Sequence, residues 1–221
     1  MAKRGRRVDR DLIKRVGRRC LWRSALLCPC QRADGGQDAL CTACDERGYL
    51  YGDTTPLSAL LTGDGRKEQF DMQTAWEKGT ARATIDCDID VGSQDQLIVL
   101  DMPVRDFEVV TRAAGTLIDT LRTPRVERVI RLHTSSRGYT LGSDFTLATT
   151  SAGVSTITWI NGGAKPTDGE RYTAQIAINP IWIIASHPMS RTFGPSKKQQ
   201  LPWRCDLERY DRAIARDGVQ A

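Results

Sequence analysis

From residue 80 onward, apolar and polar side chains alternate with the period of a strand rather than a helix. Ile85, Cys87, Ile89 and Val91 alternate with Thr84, Asp86, Asp88 and Asp90. Successive side chains of an extended chain point to opposite faces, so this stretch predicts a half-buried strand. Further strands are expected at 97–100, 107–111, 126–133, 144–147, 154–160, 172–178 and 181–185, separated by Gly, Asp, Asn and Pro clusters. Short strands following one another without helical periods between them predict a mainly β protein, an antiparallel β-sandwich or barrel.

The first residues follow a different period. Val8, Leu12, Val16 and Cys20 recur every fourth position with Ile13 beside them, the apolar stripe of a short amphipathic helix, while Arg10, Lys14 and Arg18 share another face. Asp9 and Asp11 near its start and Arg18 and Arg19 near its end agree with the helix dipole. Charge sharpens this picture. Residues 1–23 hold ten Lys or Arg against two Asp, a balance of +8, and the remaining 22 basic and 25 acidic residues leave −3, which together give the net +5. The basic character therefore belongs to an arm, expected over residues 1–24. Three uses are open to it: docking onto an acidic protein partner through Val8, Leu12 and Val16 with Lys14 and Arg15 alongside, contact with nucleic-acid phosphates, or a solvated face that keeps the chain soluble. Aromatic side chains that stack unpaired bases are sparse here, with only Trp22 nearby. Two Asp and few Ser argue against organelle targeting. No apolar segment of ~7–15 residues follows the charged start as in a secretory signal, and no run approaches the ~20 residues of a membrane span.

Four of the seven cysteines form the most specific chemical signal: Cys28-Pro29-Cys30, ten intervening residues, then Cys41-Thr42-Ala43-Cys44. Two closely spaced pairs joined by a turn can supply four thiolates to a tetrahedral zinc ion, and Gly35 and Gly36 provide the reversal. Pro29 biases Cys28 toward extended backbone, where residues two apart share a side. The second pair, followed by Gly48 and Tyr49, is similar to a zinc knuckle. Most modules with four cysteine ligands use Cys-x-x-Cys twice with a longer spacer, so disulfides and an iron–sulfur or redox pair stand as alternatives to structural zinc. Four thiolates leave no open position for water, which disfavours a catalytic metal. The expected role is to staple residues 25–52, which carry too little apolar content to fold alone. Cys87 reads as a core residue, and Cys20 and Cys205 are unassigned.

Residues 53–78 are polar and Gly-containing and read as a linker, with a short helix over 57–61. The β domain is placed at 79–190, and 191–221 reads as an extended C-terminal tail. Asp86, Asp88 and Asp90 have the carboxylate density of a calcium loop but lack its Gly turn and distal Glu, so they read as a solvated strand face. Neither His133 nor His187 belongs to a metal-protease pair. The sequence has no phosphate loop, no nucleophile elbow and no dinucleotide fingerprint. No catalytic residue, organic cofactor or small-molecule substrate is expected, and a tail-associated hydrolase has only scattered carboxylates in its favour.

Residues 138–182 contain Gly-Tyr-Thr-Leu-Gly-Ser-Asp-Phe, then Thr-Ile-Thr-Trp-Ile-Asn-Gly-Gly, then Asp-Gly-Glu-Arg-Tyr-Thr-Ala and Asn-Pro-Ile-Trp. This resembles a hairpin common in structural proteins of tailed bacteriophages, in which Trp159 and Tyr172 pair across the strands and Pro166 and Gly169 shape the loop. Residues 191–210 are similar to the Leu-Pro tail that ends such proteins. The resemblance is closest to head-to-tail neck proteins, meaning adaptor, head-closure or tail-completion subunits. It implies a ring-forming virion subunit made in the bacterial cytoplasm, with portal, adaptor or tail proteins of the same particle as partners and no membrane contact. Another tail or baseplate protein, and a zinc-stapled nucleic-acid-binding protein, are the rival readings. The slightly acidic chain beyond the arm suits protein contacts better than a DNA face.

Overall fold

A computed structural model of the chain describes residues 11–30, 41, 43–44, 48–62, 71–86, 88–150, 153–185 and 202–210. The protein is mainly β and divides into two compact units, one formed by residues 1–102 with 180–221 and one by Pro103–Asn179, which is inserted in the chain of the first.

The first unit is a closed six-stranded barrel. Its strands are β1 (Arg18–Arg23), β4 (Thr55–Thr62), β5 (Thr80–Ile85), β6 (Gln96–Val99), β14 (Ile181–Ile184) and β15 (Trp203–Arg209), in the order β1-β4-β5-β15-β14-β6. Every neighbouring pair is antiparallel, and β6 pairing with β1 closes the ring, which removes the open edges that invite association. Inward positions are filled by Cys20, Ala59, Ala83, Ile85, Leu97, Val99 and Cys205, each 1% exposed or less. A helix over residues 11–16, α1, precedes β1 and buries Ile13. A second helix, α2 (Met72–Lys78), starts at Asp71, whose carboxylate accepts the Gln73 and Thr74 N–H groups, and stops at Gly79 in the left-handed conformation. Trp76 of α2 packs edge to face on Trp182 at 5.7 Å, and the Arg209 guanidinium lies 4.2 Å from the Trp76 ring centre. A two-stranded ribbon of β2 (Ala25–Leu27) and β3 (Tyr49–Tyr51) connects β1 to β4.

The inserted unit is a small sandwich. One sheet has the order β10-β9-β13-β7, from Gly138–Tyr139, Val126–His133, Arg171–Ile178 and Val104–Thr111; the other has the order β11-β12-β8, from Phe145–Thr149, Ser155–Trp159 and Ile118–Thr120. Phe145, Ile157 and Trp159 of the three-stranded sheet meet Leu132, Tyr172, Ala174 and Ile176 of the other in a core where each is 1% exposed or less. The rings of Tyr139, Phe145 and Tyr172 surround Trp159 at 5.2–5.9 Å.

Several expectations are corrected. The N-terminal helix does not run to Cys20: Gly17 N–H closes the last turn on the Ile13 carbonyl at 2.8 Å, and Arg18–Arg23 become a barrel strand. Cys20 thus faces the barrel core rather than a helical stripe, because Cys20 and its neighbours also fit a period of two. The arm boundary at residue 24 therefore falls inside the barrel unit; residues 1–10, Val8 among them, lie outside the described residues. Of residues 53–78, expected as a linker with a helix over 57–61, Thr55–Thr62 form β4 and Met72–Lys78 form α2, and 63–70 lie outside the described residues. The 84–91 alternation ends as a strand at Ile85; Asp86, Asp88 and Asp90 lie in the turns and loop that follow. The 79–190 domain is not one body, for β5, β6 and β14 are barrel strands. The C-terminal segment is not wholly a tail, because Trp203–Arg209 runs between β5 and β14. Trp159 and Tyr172 do not pair in one hairpin: Trp159 pairs with Phe145, and Tyr172 pairs with Val110. Cys87 and His187 lie outside the described residues.

Candidate metal centre

The ribbon brings the four cysteines together. Cys28 follows β2 directly, and its N–H donates to the Gly48 carbonyl at 2.8 Å, so the ladder of β2 and β3 continues one step toward the cysteines. Gly48 has φ +73°, a left-handed conformation that glycine adopts at little cost. That turn aims its N–H at the Cys44 sulfur, 3.3 Å away. Cys28 and Cys44 are buried, and Cys30 and Cys41 are half-buried.

All four Sγ atoms lie within 4.8 Å of one another, with Cys28 to Cys41 at 3.8 Å and Cys30 to Cys44 at 3.5 Å. A metal held tetrahedrally by four thiolates at ~2.3 Å requires sulfurs ~3.8 Å apart, so the donor set fits such an ion with small adjustments. A disulfide requires about 2.05 Å, and the two close pairs stand well beyond that. Electrostatics point the same way at Cys44. Its burial by itself raises the thiol, but the Gly48 N–H and the thiols of Cys30, Cys41 and Cys28 outweigh that and lower it to about 7. At Cys28 the Cys30 N–H and thiol favour the thiolate, while burial and the thiols of Cys41 and Cys44 oppose it, and the net direction is upward. A cation at the centre favours the thiolate at all four positions.

One positioning residue carries no signal in the sequence. Asp95, 4% exposed, lies in the barrel unit just before β6. Its Oδ1 accepts the Ala25 N–H at 2.8 Å, and its Oδ2 accepts the Trp22 indole N–H at 2.8 Å and the Gly92 N–H at 2.7 Å. Arg23 donates to the Gly52 and Tyr51 carbonyls at 2.9 and 3.0 Å. Together these bonds fix both ends of the ribbon base to the barrel. Asp95 is separated from Ala25 by 70 residues, so only the closure of β1 on β6 places them together.

The other expected site residues are spread out. In α1, Leu12 and Val16 are 48% and 56% exposed, Lys14 and Arg15 are exposed, and only Ile13 turns inward. Cys20 and Cys205 belong to the barrel core, where burial, reinforced by Asp101 at Cys20 and by Asp206 and Asp95 at Cys205, pushes each thiol up to about 12. Both are inert packing residues at neutral pH rather than ligands. His133 sits on β9 with Nδ1 3.3 Å from the Thr134 carbonyl. No helix among the described residues is long and apolar enough to cross a membrane. Neither protein-family models nor curated proteins include a match to this chain.

Proposed function

We propose that the protein is a structural subunit of a tailed-bacteriophage virion, a ring component of the neck between the head or portal and the tail, with a structural zinc ion held by Cys28, Cys30, Cys41 and Cys44. The observation that carries this reading is the arrangement of α1. Ile13 anchors the helix while Leu12 and Val16 stay exposed beside Lys14 and Arg15, which leaves an apolar stripe with a cationic flank for an acidic protein partner. The likeness of residues 138–182 in sequence to phage structural proteins supports the choice of assembly, although their strands divide between two sheets and the barrel. The closed barrel suits a ring subunit, because its backbone polar groups are paired internally and side chains are left to select neighbours. In this reading the role is architectural, and zinc serves the fold of the ribbon.

Electron microscopy of intact particles carrying a labelled subunit tests it. Label at the junction of head and tail supports the neck assignment. Label at the tail tip moves the protein to the baseplate, and absence from the particle removes the virion role. The rival nucleic-acid reading through the arm predicts that Arg4, Arg6, Arg7, Lys14 and Arg15 replaced by Gln abolishes DNA binding while particles still assemble.

A further inference from the structure

The four-stranded sheet of the inserted unit presents an outer face that its sandwich core does not use. The register places side chains of β7, β13 and β9 in rows across that face. One row runs Phe107, Gln175, Arg131, and the next toward the sheet end runs Arg105, Ala177, Arg128. On the other side of Phe107 lies Val109, opposite Thr173 and His133. Phe107 and Val109 are 65% and 52% exposed, and Arg105, Arg128 and Arg131 are exposed. Along the centre β13 contributes Thr173 and Gln175, both half-buried, and Ala177, which is 2% exposed, so the accessible part of the face is a low, uncharged centre at Thr173 and Gln175 between the side chains of β7 and β9. Phe107 and Val109 on β7 and Arg128 and Arg131 on β9 stand two strand spacings apart, ~10 Å.

Among the described residues, the nearby carboxylates form no ion pair with Arg128 or Arg131. Asp106 turns its Oδ1 back to the Phe107 N–H at 2.8 Å, and Glu108 accepts the Arg122 and Thr123 N–H groups at 2.7 and 3.0 Å. Glu127 is the exposed acid beside Arg128, at a bulge of β9 where the register shifts. The same Asp106 bond covers an outward N–H of the edge strand, which disfavours strand addition by a second copy and leaves the face, not the edge, as the docking surface.

We propose that this face binds single-stranded nucleic acid, with an unpaired base stacked on Phe107 and backbone phosphates on Arg128 and Arg131. A face with an aromatic on one side and guanidinium groups on the other matches a nucleotide, which carries its flat apolar base and its anionic phosphate at opposite ends. A duplex offers phosphates but keeps its base faces stacked, and so leaves Phe107 unused. An acidic peptide pairs with the arginines but lacks the planar ring. The inference does not rest on the neck assignment, and it uses none of the basic arm.

Fluorescence anisotropy of the full chain with a labelled oligothymidylate single strand, titrated with salt, is the test. Wild-type protein is expected to bind with a falling log affinity against log salt. Replacing Arg128 and Arg131 by Gln makes that slope shallower by about 1.4, at ~0.7 for each phosphate contact to a single strand. Phe107→Ala weakens binding by roughly 5- to 150-fold with the slope unchanged, and Phe107→Trp restores it. Because all three side chains are exposed, circular dichroism and melting of the variants are expected to match the wild type. A chain with Arg4, Arg6, Arg7, Lys14 and Arg15 replaced by Gln keeps its sensitivity to Phe107→Ala. The inference is overturned by absence of binding at low salt, by binding indifferent to these sheet substitutions, by equal affinity for a duplex of the same length, or by polyglutamate binding with the same dependence on Phe107.

Discussion

Trp159 and Tyr172 meet edge to face across the two sheets of the inserted unit, 5.4 Å between ring centres, and both donate to Oδ2 of Asp119, at 2.7 and 3.0 Å. The other carboxylate oxygen accepts Arg112 at 3.1 Å and the Ala113 N–H at 2.8 Å. Arg112 also donates to the Ala113 and Thr116 carbonyls. Burial, followed by the Asp119 charge and hydrogen bond, raises the Tyr172 hydroxyl well above its ordinary value, so it remains a donor across the working pH range. A carboxylate from β8 thereby ties one sheet to the other through side chains with almost no exposed surface.

Asp119→Ala leaves Arg112, Trp159, Tyr172 and the Ala113 N–H without their acceptor. Removing one partner of a buried ion pair costs about 3–5 kcal/mol. Urea denaturation of the variant should show a loss of this size. A loss below ~1 kcal/mol would mean that water replaces the carboxylate and that the network does not hold the sandwich together.

Metal content is the direct check on the ribbon. Protein purified without chelator is expected to contain about one zinc per chain, and Cys41→Ser or Cys44→Ser to lose it. Chelation should expose residues 25–51 to protease while the near-ultraviolet circular dichroism of the inserted unit persists. Elemental analysis without metal, together with a disulfide-linked peptide containing Cys28, would falsify the zinc assignment.

Cys20 and Cys205 should resist alkylation in the native protein and react once urea unfolds the barrel. Their folded values near 12 lie above the unfolded value of 9.0, so folding holds the neutral thiol. Their contribution is complete below pH 9 and is lost as pH rises from 9 toward 12, because only the unfolded chain releases these protons in that window. Melting curves from pH 8 to 11 read the effect as a falling midpoint, and Cys20→Ala and Cys205→Ala flatten it.

Gly17→Ala tests the junction of α1 with β1. A Cβ there lies 2.1 Å from the Ile13 carbonyl oxygen and 3.3 Å from that of Ala59, both backbone atoms that cannot swing aside. Roughly 1–3 kcal/mol of destabilisation is expected, as for other overpacked sites, with faster proteolysis of the first 17 residues. Unchanged protection would show that the helix is not held by this turn.

For the arm, Leu12→Ser with Val16→Ser removes the exposed apolar stripe without touching buried Ile13. The isolated subunit should melt as the wild type does, while particles carrying it fail to keep heads and tails joined when counted by electron microscopy. Normal joining would remove the docking role of α1.

Much of the inserted unit was legible from local pattern: residues 126–133 form β9, and β7, β11, β12 and β13 fall close to their expected positions, because one face of each strand is buried and alternation records it. The four cysteines were legible for a local reason too, since their spacing keeps all four within one short segment, which the β2–β3 ribbon closes. Four barrel strands are not legible locally although they alternate too, β1 because Cys20 also continues the fourfold spacing of the N-terminal helix. In β5 the inward residues Ala81 and Ala83 are too small to stand out; β15 places Cys205 and Leu207 inward between Arg204, Asp206 and Glu208, a pattern obscured by its position near the C-terminus; and β4 resembles a helical Leu cluster. Tertiary structure alone decided which strands share a sheet. Trp159 and Tyr172 meet through packing of two sheets rather than through a hairpin, and Asp95 reaches Ala25 only because the barrel closes. Alternation states that a strand has a buried side, but partner choice is set by long-range burial and hydrogen bonding, and no local period encodes that.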